Sequence, residues 1–282
     1  PPLVLCSLAT VGFAATLLGS TTLDGGKGAG GPLAVLFIAI FAAELGKTVS
    51  KETKVDILVT PLVTILTGVA LSYAVAPAIG TAASAVGDFV RWATVLQPFW
   101  MGILVSVVIG VALTLPISSA AICAAIGLTG LAGGAAVAGC CAQMVGFAVL
   151  SFRENRWGGL VSQGLGTSML QMGNIVKNPR IWIPATAACA STGPMGTCLF
   201  HLEMNDPASA VASGMGTCGM VGPIGVYAGW VNEVATGAKA AITGMDWVGL
   251  ALICFVLPAV LSWAFGLLCR RLGWIREGDL KL

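Results

Sequence analysis

Two stretches of the sequence repeat one phrase and decide the fold: "SQGLGTSMLQMGNI" at 162–175 and "ASGMGTCGMVGPIG" at 212–225. Each contains Gly-x-Gly-Thr followed by Ser or Cys, and both are too apolar for ordinary loops. Glycine permits tight reversals of the chain, and broken segments in both halves of a transporter typically mark its binding site. We therefore predict two re-entrant hairpins that enter from opposite faces of a membrane and hold a substrate between their tips. The alternative is that the small residues only let regular helices pack closely.

The composition excludes most soluble proteins. Of the 282 residues, 57% are hydrophobic and 9% are charged, and the mean hydropathy is +0.93. A soluble domain carries about 25% charged residues, so lipid must cover much of this surface. The net charge of +2 comes from scattered residues that form no basic face, so we expect no nucleic-acid partner.

The apolar runs predict an all-α, polytopic membrane protein with about eight transmembrane helices, each near the 20 residues that cross a bilayer. The runs are 1–20, 31–46, 55–79, 97–115, 117–133, 134–151, 181–200 and 247–269. With eight crossings, the predicted cytoplasmic loops hold 11 Lys and Arg residues and the opposite side holds three. This bias predicts a multi-pass protein with both termini in the cytoplasm. Segments 80–96 and 232–246 are weakly amphipathic and predict helices at the membrane surface.

Polar side chains inside a membrane are costly and are therefore candidates for function. Amide and hydroxyl groups also suit sugar hydroxyls, because they both donate and accept hydrogen bonds. The predicted substrate-binding residues are Ser118, Gln143, Thr167, Ser168, Gln171, Asn174, His201, Glu203 and Thr217.

Several of these candidates have alternatives that the sequence leaves open. Gln143 could line a cavity or bond to a neighbouring helix, and Ser118 could begin a helix or lie in a turn. His201 and Glu203 could complete or gate the site, or belong to a solvated loop. The chain has one His and an odd number of Cys residues, without metal-binding spacing, so we predict neither a metal nor a cofactor.

Three stretches resemble the membrane-embedded IIC subunit of the bacterial sugar phosphotransferase system. They are "KVDILVTPLVTILTG" (54–68), "GLGTSMLQMGNIVKNPRIWIP" (164–184) and "MGTCGMVGPIG" (215–225). The resemblance is to the type-2 IIC branch, which includes perfringolysin-regulator-like proteins, and it covers residues from about 30 to 270.

This resemblance implies a homodimer in the bacterial inner membrane with an elevator-like substrate domain. We expect a single IIC-like domain over 1–282, with its substrate-binding portion around 116–230. It implies uptake of a sugar-like solute, with phosphate supplied by a separate IIB protein where transport is coupled to phosphorylation. The Gly-Ile-Thr-Glu motif of glucose-type IIC proteins is missing from the sequence, which leaves the coupling open.

The sequence supports a permease first and a ligand-sensing membrane regulator that binds without transporting second. A channel is a weaker alternative, because the sequence shows no ring of like charges and no carbonyl filter signature.

Overall fold

The computed structural model of the chain describes residues 31–50, 56–116, 118–206 and 209–282. Within these ranges all regular elements are helical, and an isolated antiparallel bridge joins Gly130 to Met204. The prediction of an all-α protein is therefore confirmed for the described residues. The predicted span 1–20 lies outside them.

The chain divides into two compact units. The first holds the described residues up to Asp88, together with Ala124–Gly127, and the second holds Phe89–Cys123 and Leu128–Leu282. All nine predicted site residues belong to the second unit.

Twelve α-helices are described in chain order. They are α1 (Gly31–Val49), α2 (Asp56–Leu96), α3 (Pro98–Thr114), α4 (Ser119–Ile126), α5 (Gly130–Leu150), α6 (Phe152–Val161), α7 (Met172–Lys177), α8 (Ile183–Pro194), α9 (Ala210–Ser213), α10 (Val221–Ala235), α11 (Gly244–Ala251) and α12 (Leu257–Arg271). Three π-helical turns lie at Ser162–Gly166, Met195–Leu199 and Leu252–Val256. Three 3₁₀ turns lie at Ser168–Gln171, Pro179–Trp182 and Cys218–Met220.

Three predicted segments differ in the structure. The predicted surface helix 232–246 is wrong, because α10 ends at Ala235 and α11 begins only at Gly244. The predicted span 55–79 and the predicted surface helix 80–96 form one helix of 41 residues, α2. The predicted span 117–133 is wrong, because α4 has only eight residues and is too short to cross a bilayer alone. Two glycines with positive φ, Gly127 (φ 60) and Gly130 (φ 64), lie between α4 and α5, so the helices separate there and not at residues 133–134.

The described residues include two helical stretches long and apolar enough to cross a membrane, Gly130–Leu150 and Gly244–Arg271. They differ in burial: 89% of the apolar window of the first is buried, but only 33% of that of the second. The first stretch, α5, is therefore the centre of the second unit. In the second stretch, the described part of the chain buries only a minority of the residues in the apolar window.

Small residues let α3, α5 and α8 pack backbone against backbone. A Cβ added at Gly139 of α5 would strike the backbone of Ser106 in α3, and one at Gly193 of α8 would strike the carbonyl of Gly102 in α3. The hydroxyl of Ser106 donates to the Cys189 carbonyl at 2.8 Å and ties α3 to α8. Close approach through small residues is typical of helices packed within membranes, where dispersion contacts replace the hydrophobic effect.

Candidate functional site

The first Gly-x-Gly-Thr copy lies in a break between two helices. After α6 the chain forms the π turn Ser162–Gly166, Thr167 is extended (φ −158°, ψ 142°), and a 3₁₀ turn then leads into α7. The side chain of Thr167 accepts a hydrogen bond from the Met169 backbone at 3.2 Å and so caps the second half. Thr167 therefore supports the break itself.

The second copy lies in a similar break between α9 and α10. Gly216 (φ 54) and Gly219 (φ 52) are in the left-handed region, as is the non-glycine Met220 (φ 62). A Cβ on Gly216 would lie 2.7 Å from the backbone carbon of Cys140 in α5. This glycine is therefore required both for its backbone conformation and for close contact with α5.

The two breaks contact each other. The hydroxyl of Thr217 donates to the carbonyl of Gly164 at 2.6 Å and lies 3.6 Å from the sulfur of Met144 in α5. Thr217 is fully buried. The repeated phrase thus brings its two copies together beside the middle of α5.

A buried polar network surrounds Gln143 on α5, next to this contact. The side-chain carbonyl of Gln143 accepts from the Trp182 indole at 3.2 Å and from the Thr114 hydroxyl at 3.3 Å. Its amide nitrogen donates to the Thr186 hydroxyl at 3.3 Å. The Thr114 hydroxyl also lies 2.9 Å from that of Ser168, which belongs to the first broken segment. Gln143, Thr114 and Ser168 are fully buried.

The network has the chemistry of a site for a hydroxylated ligand. It joins hydroxyl, amide and indole groups from α3, α5, the first broken segment and the start of α8, and none of them is charged. Each hydroxyl both donates and accepts, so the groups can pair with one another or with the hydroxyls of a ligand.

A family model described as "Phosphotransferase system, EIIC" matches residues 1–282, the whole chain. This chain belongs to that family. No curated protein and no solved structure matches the chain. Family membership makes the chain a membrane protein of the sugar-transporting phosphotransferase system, and it confirms the resemblance seen in the sequence.

In this EIIC protein, two predicted site residues bind the chain itself outside the Gln143 network. The amide nitrogen of Gln171 donates to the carbonyl of Leu280 at 3.0 Å, and that of Asn174 donates to the carbonyl of Lys281 at 2.9 Å. Asn155 also donates to the Leu280 carbonyl, at 2.7 Å. These amides hold the segment 272–282 against the first broken segment.

Ser118 is exposed, and its hydroxyl accepts from the backbone of Ala121 at 3.2 Å, as at the start of a helix. The neighbouring Ser119 makes the contact with the second broken segment instead, because its buried hydroxyl donates to the Gly214 carbonyl at 2.7 Å. Ser118 was predicted either to begin a helix or to lie in a turn, and the structure places it at the beginning of α4.

His201 and Glu203 lie at the far end of α5 from the Gln143 network. Met204 is hydrogen-bonded to Gly130, the first residue of α5, through both backbone groups at 2.8 and 3.1 Å. Gln143 is 13 residues further along the helix, which corresponds to about 20 Å. His201 is exposed, and Glu203 accepts from the amide of Asn205 at 2.8 Å. The structure therefore does not bring this pair together with the other candidates.

Sequence reasoning missed Thr114, Trp182 and Thr186 as members of the network. Trp182 falls within the stretch 164–184 that carries the family resemblance, which is the signal that could have drawn attention to it. Thr114 and Thr186 are hydroxyl residues at the ends of apolar runs, and nothing in their local sequence separates them from threonines that bond only to their own helix.

Proposed function

We propose that this EIIC protein is a permease for a sugar-like solute and holds that solute where its two broken segments meet. The observation that carries the proposal is the hydrogen bond from Thr217 to the Gly164 carbonyl, beside the network around Gln143. Family membership supports the transport of sugars in general, and the chemistry of these groups supports a hydroxylated solute.

The proposed binding step exchanges internal hydrogen bonds for bonds to the solute. Buried polar groups in an apolar environment are costly unless they are paired. In the described arrangement Thr217 is paired with Gly164, and Ser168 with Thr114. When the first broken segment moves away from both the second broken segment and α3, these groups lose their partners, and sugar hydroxyls restore the lost bonds. The site is therefore most stable either closed and empty or open and occupied.

We further propose that the two broken segments are re-entrant hairpins within a multi-pass protein, and that their portion of the chain, around 116–230, moves to give alternating access. The remaining parts of this proposal are a homodimer in the bacterial inner membrane, both termini in the cytoplasm, and a separate IIB protein as the phosphate donor. His201 and Glu203 would then act at the entrance, away from the binding groups.

The test is sugar counterflow in proteoliposomes, which requires neither phosphate nor an ion gradient. Vesicles loaded with one unlabelled sugar or polyol are diluted into a trace of the same radiolabelled solute, across a panel of hexoses, pentoses and polyols. Wild-type protein is expected to accumulate label for one member or group of the panel. Gln143→Met and Thr217→Val should each reduce the initial rate by about tenfold, since each removes hydrogen bonds to the solute.

Thr192→Val is the matched control. The Thr192 hydroxyl is fully buried like that of Thr217, but it bonds only to the carbonyls of Ala188 and Cys189 in its own helix. Counterflow by this variant should equal that of the wild type. An equal loss of counterflow rate in Gln143→Met, Thr217→Val and Thr192→Val would contradict the proposed site. A sugar that raises the thermal stability of the wild type but is not exchanged across the vesicle membrane would contradict transport.

A further inference from the structure

An apolar groove lies between the end of α5, α6 and α12. It encloses about 320 Å³, and its walls include Leu150, Trp157, Trp263 and Leu267. Trp157 is 71% exposed and Trp263 is 56% exposed. One wall of the groove comes from Gly244–Arg271, the long apolar stretch that the described residues leave mostly unburied.

The groove ends at a charged cavity. This second cavity encloses about 290 Å³ and is lined by Arg153, Glu154, Arg156, Arg270 and Glu277. Arg153 and Arg270 line both cavities, so the apolar and charged spaces share a wall. On α12 the groove residues Trp263, Gly266, Leu267 and Arg270 follow the spacing of one helix face, which therefore changes from apolar to cationic toward the end of the helix.

The charges in the second cavity favour an anion. Three arginines face two glutamates, which leaves one net positive charge. The pair Arg153–Glu277 is 3.4 Å long with both side chains largely exposed, at 70% and 84%, so it offsets little of the field of Arg153. Glu154 and Arg270 form a second pair at 3.4 Å, but this one is mostly buried.

Glu154, a residue of the cavity wall, has one carboxylate oxygen without a hydrogen-bond partner among the described residues. The Oε1 atom of Glu154 accepts from Arg270 and from the backbone of Gly278, whereas its Oε2 atom is buried and has no hydrogen-bond partner. A buried carboxylate oxygen without a donor is costly. A rotation of the Glu154 side chain that turned this oxygen toward the cavity would let a donor on a ligand supply the missing bond. The cavity therefore favours a ligand with a hydrogen-bond donor as well as a negative charge.

We propose that the groove and the cavity together form a binding site for one anionic phospholipid with a hydroxylated head group, such as phosphatidylglycerol. An acyl chain occupies the groove between Trp157 and Trp263. The phosphate contacts Arg153 and Arg156, and a head-group hydroxyl donates to Oε2 of Glu154. Basic pockets beside membrane helices bind lipid head groups in this way.

A second copy of this chain is the other candidate to cover the apolar groove. It accounts for the exposed tryptophans but not for the net positive charge or the unpaired carboxylate oxygen at the end of the groove. The phospholipid accounts for all three features, because it carries apolar, anionic and donating groups in that order along its length.

The experiment is native mass spectrometry of the full chain, delipidated in detergent and titrated with dioleoyl-phosphatidylglycerol or dioleoyl-phosphatidylcholine. The choline lipid has the same chains and phosphate but no net charge and no head-group donor. Wild-type protein should hold one phosphatidylglycerol at concentrations where phosphatidylcholine leaves the chain unoccupied. Arg153→Gln and Arg156→Gln should each weaken phosphatidylglycerol binding roughly tenfold.

Arg271→Gln is the matched control, since Arg271 is exposed at the end of the same helix but does not line either cavity. Its phosphatidylglycerol binding should equal that of the wild type. Equal affinity of the wild type for both lipids, or equal weakening by all three substitutions, would overturn the site. A complex of two chains that separates in Trp263→Ala, with no lipid bound to the wild type, would overturn it in favour of an interface between copies.

Discussion

Replacing Gly216 with alanine is expected to destabilise the protein by about 2–5 kcal/mol. Gly216 has φ 54, and the left-handed region costs an L-residue about 1–2 kcal/mol. The new Cβ would also lie 2.7 Å from the backbone carbon and from the Cβ of Cys140. Both atoms belong to the buried helix α5, which cannot move aside freely, and overpacking of this kind costs about 1–3 kcal/mol.

The repeated phrase supplies the control. Gly166 occupies the same place in the first copy as Gly216 does in the second, but a Cβ there would meet no atom within 4 Å and its φ is not positive. Gly166→Ala should therefore stay within about 0.5 kcal/mol of the wild type. We expected glycine to permit a tight turn in both copies. The positive φ that requires glycine is found at Gly216 but not at Gly166.

The assay is reversible unfolding in mixed micelles, with increasing mole fraction of a denaturing detergent and helix content as the signal. The free energy of unfolding is compared for the wild type, Gly216→Ala and Gly166→Ala. If both variants unfold within 1 kcal/mol of each other, the contact between the second broken segment and α5 does not exist as described.

Two further predictions concern the region around α6. Arg270→Gln should destabilise the chain by about 3 kcal/mol in the same assay, because it leaves the mostly buried carboxylate of Glu154 without its cation. Arg153→Gln breaks an equally long but exposed pair and should leave the free energy of unfolding unchanged; a similar loss in both variants would refute the role of burial. Gln171→Ala should speed amide hydrogen exchange in 279–282, because the carbonyl of Leu280 loses a buried donor. Unchanged exchange there, measured by mass spectrometry, would show that Gln171 does not hold the segment.

Local sequence patterns were enough to predict the helical class, the membrane setting and the family. They rest on composition and on short motifs, and both can be read without knowledge of distant contacts. The contact between the two copies of Gly-x-Gly-Thr could also be predicted from the sequence. Two breaks with the same residues in an apolar chain are best explained by segments that pack against each other.

The roles of individual amides could not be predicted in the same way. Gln143 and Gln171 are both glutamines in apolar surroundings, and each was expected to bind solute. Gln143 joins the hydroxyls of Thr114 and Thr186 and the indole of Trp182. Gln171, in contrast, bonds to the carbonyl of Leu280, 109 residues later in the chain. That difference depends on where residues 272–282 lie, and no feature of the sequence near Gln171 reports it.

The predictions of helix boundaries were wrong for a related reason. The run 117–133 is apolar throughout, and hydropathy alone does not register the positive φ of Gly127 that ends α4. In α2, by contrast, the change from an apolar to an amphipathic pattern near residue 80 predicted a boundary, and the helix continues through it. Hydropathy reports whether a segment is surrounded by water or by apolar groups. The residue at which a helix ends depends on the torsion angles of single residues, which hydropathy does not report.

The glycine-lined contacts among α3, α5 and α8 also limit how this protein can change shape. Backbones that touch without intervening side chains interlock, so none of these three helices can slide along another without first separating from it. In the movement proposed for the portion around 116–230, α3 therefore has to travel with α5 and α8 as one block, and the hinges lie outside the three helices. Thr114, Gln143 and Thr186 lie on those three helices, so their mutual geometry persists through the cycle, while Ser168 and Thr217 arrive and depart with the broken segments.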